Sequence, residues 1–254
     1  MRRKTIIGLV GILGITGLAV LVTAGSLNPP AGPSSTMKTL DQIESRIPIA
    51  GNPYGASTFE ITQPGSYYLT GDRLVIPGSY GLHITASDVT VDLNGYALKG
   101  ISSPSGRSGV YIDGADNVEI RNGTIRNFPE AGIVTGSTSN AVRILNLRIL
   151  DNSGSGINCS GNNNHIRGCT VTNNDGSGIY AWNNSVVIGN TCGNNGDNGI
   201  FARYGSVVSE NSCYQNGSYG IFTYRALVKG NAAYENTTGN YYNDTHSTFA
   251  DNLQ

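Results

Sequence analysis

The residues of this chain that can do chemistry are gathered in three similar pentapeptides: Gly-Ile-Tyr-Ala-Trp (178 to 182), Gly-Ile-Phe-Ala-Arg (199 to 203) and Gly-Ile-Phe-Thr-Tyr (220 to 224). Tyr180, Trp182, Phe201, Phe222 and Tyr224 offer flat rings on which sugars stack, and Arg203 and Arg225 offer charged forks for carboxylates or sulfates. If the chain catalyses, Tyr180 or Tyr224 is the candidate base, and Arg203 the cation that stabilises enolate-like charge, the two needs of a β-elimination. The three histidines are scattered: His83 is remote from Arg203, His165 follows three asparagines and is expected in a turn, and His246 is near the end. A lone surface histidine is usually solvated, and none of these is given a role.

Those pentapeptides are parts of a longer repeat. Gly followed by Ile recurs at Gly132, Gly156, Gly178, Gly199 and Gly220, with spacings that settle to 21. A period of about 20 to 25 residues marks a solenoid, whose units bury their apolar faces only by stacking. Four residues before most of these positions, or before the equivalent Asn240, stands an asparagine: Asn152, Asn174, Asn195, Asn216 and Asn236. Asparagine suits a turn because it bonds local backbone and tolerates left-handed φ, and stacked amides can also bond along a column. A second column is expected at Asn122, Asn190, Asn211 and Asn231, with Cys169 in the same place.

Within each pentapeptide the residues alternate. The first and third after Gly point inward and the second and fourth outward, as in a short strand. The second-position column reads His83, Tyr111, Val134, Asn158, Tyr180, Phe201, Phe222 and Tyr242; the fourth reads Thr85, Asp113, Gly136, Ser160, Trp182, Arg203, Tyr224 and Asp244. Three readings of the aromatic half stand side by side: a binding platform, rings stacked for stability, or a surface covered by the tail or another subunit.

The Gly-Ile and Asn columns resemble the right-handed parallel β-helix of pectate-lyase-like and NosD-like repeat proteins, over roughly residues 59 to 250. The resemblance implies an all-β fold, a single-stranded right-handed parallel β-helix of about 7–8 coils with ~21–24 residues each. It does not decide function, because the architecture hosts lyases, hydrolases, epimerases, adhesins and accessory proteins. Pectate lyases bind calcium through groove acids, whereas the outward columns here hold only Asp113 and Asp244. The paired carboxylates of ordinary glycosidases are likewise missing. The expectation is therefore an exported protein that binds a polysaccharide or similar polymer on the aromatic face in a non-catalytic surface or periplasmic role; the alternative is a polysaccharide lyase.

Charged residues make up 13% and 35 of 254 residues are glycine, which suits a turn-dense stack and leaves few groups for catalysis. The net charge is −1, or −4 without Arg2, Arg3 and Lys4, too mild to suggest a nucleic-acid partner. Cys192 and Cys213 share a column with Ile125, Ile149, Val171 and Ala233, close enough for a disulfide, with small buried thiols as the blander reading; Cys159 and Cys169 lie just before them. No metal-ligand spacing occurs, and no cofactor is expected. Asp151, Asp175 and Asp197 at one corner could supply oxygen to structural calcium, with solvated turns as the default reading.

The N-terminus reads as an export signal. Arg2-Arg3-Lys4 precedes an apolar run from Thr5 to Val22 and a small-residue exit at Ala24, the alternative being an uncleaved anchor. The expected organisation is a signal over 1–24, a linker over 25–38, a cap and first irregular coil over 39–80, and the β-helix over 81–254, without membrane contact after cleavage. Thr39 and Gln42 form a capping box, predicting a short helix over 39–47 that covers the solenoid's end. Mass spectrometry of protein recovered from periplasm or medium should then find a chain beginning near Gly25. An intact N-terminus in the membrane fraction would establish the anchor.

Overall fold

The computed structural model describes residues 46–101, 106–242 and 244–253, all within one compact unit, Glu44–Gln254. The expected signal, linker and most of the capping helix lie outside these residues. Where the helix was expected to end, Arg46–Ile49 is instead a strand, paired in parallel with Gly65–Leu69. Coiling is therefore under way by Arg46, and the described residues make about nine turns rather than seven or eight.

Each full turn contributes short strands to three faces, all pairing parallel to the next turn. The first face runs from Arg46–Ile49 through Val89–Asp92, His165–Arg167 and Val207–Ser209 to Thr248–Ala250. The second includes Arg73–Val75, Thr170–Thr172, Thr191–Gly193 and Ser212–Tyr214. Two eight-residue strands, Glu119–Arg126 and Arg143–Leu150, run unbroken across both. The third face is a separate nine-stranded sheet from Phe59–Ile61 to Gly239–Tyr242, and it carries the Gly-Ile repeat.

The core is a set of columns, one side chain per turn. Ile133, Ile157, Ile179, Ile200 and Ile221 stack inside the third face with no exposure. Ile125, Ile149, Val171, Cys192, Cys213 and Ala233 do the same inside the second. The glycine before each third-face isoleucine is needed for space. A Cβ on Gly178 would lie 2.6 Å from the Gly199 carbonyl and 2.8 Å from the Asn195 amide nitrogen. Any side chain there would push the coils apart.

That close approach lets the asparagine amides join. Asn195 Oδ1 accepts from the backbone N–H of Asn174 (3.2 Å) and from its Nδ2 (3.0 Å). Its own Nδ2 donates to Asn216 Oδ1 at 3.0 Å and to the Val171 carbonyl at 3.1 Å, so the whole amide is satisfied while 2% exposed. The ladder runs from Asn152 to Asn236, where Nδ2 donates to Asn240 Oδ1. A second ladder joins Asn190, Asn211, Asn231 and Asn252, and Asn190 Oδ1 accepts from the N–H of Cys169.

Two details depart from the sequence reading. Left-handed φ falls on the residue before each member of the first ladder, at Asp151, Asn173, Asn194, Gln215 and Glu235. The turn residue and the ladder residue are thus different positions, because the left-handed residue is exposed and the residue after it points inward. Asn122 is likewise a left-handed turn residue (φ 57°), and Gly123, paired with Leu147, occupies the ladder column.

All four cysteines are free and buried. Burial pushes the thiols of Cys159 and Cys169 up to about 12, so thiolate is scarce at neutral pH. A thiol-specific reagent should therefore count no thiols in native protein and four after denaturation, and a count of two would reveal the Cys192–Cys213 bridge. Removing the Asn195 amide strands donors on Asn174 and acceptors on Val171 and Asn216, so Asn195→Ala should cost about 3 kcal/mol. Asn194→Ala touches only an exposed turn and should cost about 1 kcal/mol. Equal denaturation midpoints for the two variants would show that the ladder contributes nothing.

Candidate functional site

Strand pairing places Glu60, His83, Tyr111, Val134, Asn158, Tyr180, Phe201, Phe222 and Tyr242 in one outward column on the third face. The expected members are all present, and Glu60 is added at the N-terminal end. Chemistry gathers at the two ends of this column, with Val134 and Asn158 between.

At the C-terminal end the rings stack on each other. Tyr180 and Phe201 are 4.7 Å apart at 2°, Phe201 and Phe222 5.2 Å at 8°, and Phe222 and Tyr242 4.1 Å at 12°. Both faces of Phe201 and Phe222 are therefore occupied, and these rings show the surface their edges. The expectation that they offer faces to sugars is corrected, because parallel coils spaced by about 4.8 Å bring like rings into mutual contact.

The neighbouring outward column behaves differently. Tyr224 meets Phe201, Phe222 and Tyr242 at 72°, 77° and 68°. Tyr204 packs against Tyr224 as well, its ring centre 6.3 Å away at 42°, so Tyr224 sits between the stacked column and Tyr204. The guanidinium of Arg203 lies 3.9 Å from the Trp182 ring centre and 5.0 Å from that of Tyr204, and Arg225 is 5.9 Å from Tyr204. None of the described ion pairs involves Arg203 or Arg225, and Arg203 Nε is buried without a hydrogen-bond partner. Two guanidinium groups near one tyrosine ring, neither in a described ion pair, leave charged donors for an external anion. Burial raises the Tyr180 phenol above its ordinary range, with Arg203 beside it pulling the other way. Tyr180 thus stays a phenol at neutral pH, which argues against its expected role as base.

The N-terminal end holds a group that the sequence reading did not assemble. His83 Nδ1 is 2.7 Å from Glu60 Oε2, and its Nε2 is 3.8 Å from Asp113 Oδ2. The ring lies parallel to Tyr111 at 5.4 Å, and Tyr80 packs against both. At that distance Nδ1 donates to the Glu60 carboxylate, and Nε2 is buried with no hydrogen-bond partner. Burial and then the Asp113 carboxylate raise the Tyr111 phenol, keeping it protonated. The signal for this group was the outward parity of Glu60 in Phe59-Glu-Ile61, which lacks the Gly-Ile mark. His165, expected in a turn, lies in the strand His165–Arg167 on the first face.

The expected corner acids are engaged locally where bonds are described: Asp197 accepts from Ser177 Oγ at 2.7 Å and from Asn198 Nδ2 at 3.0 Å. Among the described residues no group of three or more His, Cys, Asp or Glu could hold a metal ion.

Comparison with known proteins places this geometry among β-helices. Pectate lyase Pel9A superposes with a TM-score of 0.55 at 14% identity, over 74% of this chain and 60% of the lyase. ORF18 of Geobacillus virus E2 gives 0.55 at 10% identity, over 82% of this chain and 52% of that one. The chain thus spans little more than half the length of either, and at such identity the likeness is one of fold. A search of curated proteins found no match. The family model "Right handed beta helix region" matches residues 75–204 and 108–253, well over half of the sequence, and the chain belongs to that family.

Proposed function

We propose that the third face binds an extended acidic polysaccharide outside the cytoplasm, in a non-catalytic surface or periplasmic role. The observation that carries this reading is the gathering of Arg203 and Arg225 around the Tyr204 ring, next to Tyr224, with neither guanidinium in a described ion pair. Two guanidinium groups among aromatic rings, without an ion-pair partner, suit a sugar that carries a carboxylate or sulfate. The column repeats about every 4.8 Å, which gives a polymer successive places to rest. The likeness to a pectate lyase is one of fold, and the reading rests on the face itself.

The Glu60–His83–Tyr111–Asp113 group favours a second reading, in which the same face carries out β-elimination at its N-terminal end. There His83 Nε2, oriented through Glu60 and reachable only once a bound polymer uncovers it, would take the carbon-bound proton beside a uronate carboxyl, and the Tyr111 phenol would protonate the departing sugar oxygen as the carbon–oxygen bond breaks. The two readings separate in one assay set. Affinity electrophoresis on acidic polymers should show retardation that falls about tenfold for Tyr224→Ala and for Arg203→Gln, with folding intact. Retardation on neutral and acidic polymers alike, unchanged in both variants, would remove this face from the argument. Ultraviolet absorbance from unsaturated ends, lost in His83→Ala and kept in Tyr180→Phe, would establish the lyase.

A further inference from the structure

The first face carries a charged ladder that is interrupted. Down one outward column, strand pairing stacks Asp92, Arg121, Leu145 and Arg167; down its neighbour it stacks Glu119, Arg143 and His165. The upstream part is closed on itself. Arg121 pairs with Asp92 at 3.2 Å and with Glu119 at 3.1 Å, while Arg143 pairs with Glu119 at 2.9 Å and bonds Asn117 Oδ1 at 2.9 Å. In the alternation acid, base, acid, base, the place between Arg121 and Arg167 calls for a carboxylate, and Leu145 stands there.

Over that position lies a cleft of about 510 Å³ lined by Arg143, Leu145, Asn146, His165 and Arg167. It opens where the unbroken strand Arg143–Leu150 gives way to two short ones, His165–Arg167 and Thr170–Thr172, with left-handed turns at Asn146 and Gly168. Neither the Arg167 guanidinium nor the His165 ring has a side-chain hydrogen bond or ion pair among the described residues.

We propose that this cleft is an oxyanion-binding site, in which a carboxylate or sulfate group takes the place that Leu145 leaves without charge, held by Arg167 with Arg143, His165 and the Asn146 amide around it. Arginine forks bind such groups through paired, charge-assisted hydrogen bonds, and the half-buried Leu145 gives the apolar floor that a sugar or ester carbon would rest on. The site is on a different face from the proposed polymer surface and stands or falls independently of it.

The test is an NMR titration of the folded chain with sodium sulfate, sodium glucuronate and polygalacturonate at constant ionic strength, so that screening is not read as binding. Sulfate and glucuronate should give saturable shifts at Asn146, His165 and Arg167. Arg167→Gln should weaken them about tenfold or more, and Leu145→Asp, which supplies the missing carboxylate from within, should abolish them. Tyr224→Ala should leave them unchanged. Tighter binding per site of polygalacturonate than of glucuronate would identify a polymer as the source of the anion; equal binding would identify a small free oxyanion. Absence of saturable shifts in the wild type, or wild-type affinity in Arg167→Gln, would overturn the proposal even if Leu145→Asp failed to fold.

Discussion

Everything on the surface of this molecule depends on amides bonded to amides at its buried corners. A parallel stack needs each coil to turn at the same height, and turning takes backbone groups out of the ladder of strand hydrogen bonds. Asn174, Asn195 and Asn216 restore them: each side chain accepts from the coil before, donates to the coil after, and donates to a backbone carbonyl of the coil before. The bonds are short, fully buried and repeated, so slipping one coil by one residue would break two ladders at once. Register is thereby held far more firmly than by apolar packing alone, which tolerates exchanges such as Ile149 for Val171 or Cys192.

Fixed register turns sequence parity into surface geometry. Because the second residue after each glycine always faces out at the same height, Tyr180, Phe201 and Phe222 are forced onto one line. The same constraint that aligns them sets their separation near the thickness of stacked rings. That is why the column closes on itself, with Tyr224 of the neighbouring column turned about a right angle to the stacked rings.

This explains what could be read from the residues and what could not. The fold, the inward columns and the membership of the outward ones follow from the glycine and asparagine spacing, because period and parity are properties of sequence. Orientation within a column is not. Whether Phe201 shows a face or an edge depends on what its neighbours above and below do with theirs. The Glu60–His83 contact was hidden for another reason: the first coils are irregular, so Phe59-Glu-Ile61 has no glycine to set its phase against Leu82-His-Ile84. The left-handed positions were misplaced by one residue because asparagine serves both as turn and as ladder, and Gln215 and Glu235 show which of the two roles accepts other side chains.

Function on such a frame should be sought where the repeat fails to satisfy itself. A regular column consumes its own chemistry: rings cover rings, amides bond amides, and Glu119 neutralises the arginines beside it. What remains reactive is whatever the next coil does not match. Nε2 of His83 faces Asp113 at 3.8 Å rather than within hydrogen-bond reach, Arg203 and Arg225 meet rings in place of carboxylates, and Arg167 follows Leu145 where an acid would complete the alternation. Each is a local departure from periodicity carried by a rigid, over-determined scaffold. Such a scaffold can hold an unsatisfied donor in place without collapsing around it, since moving one coil would cost hydrogen bonds in both of its neighbours.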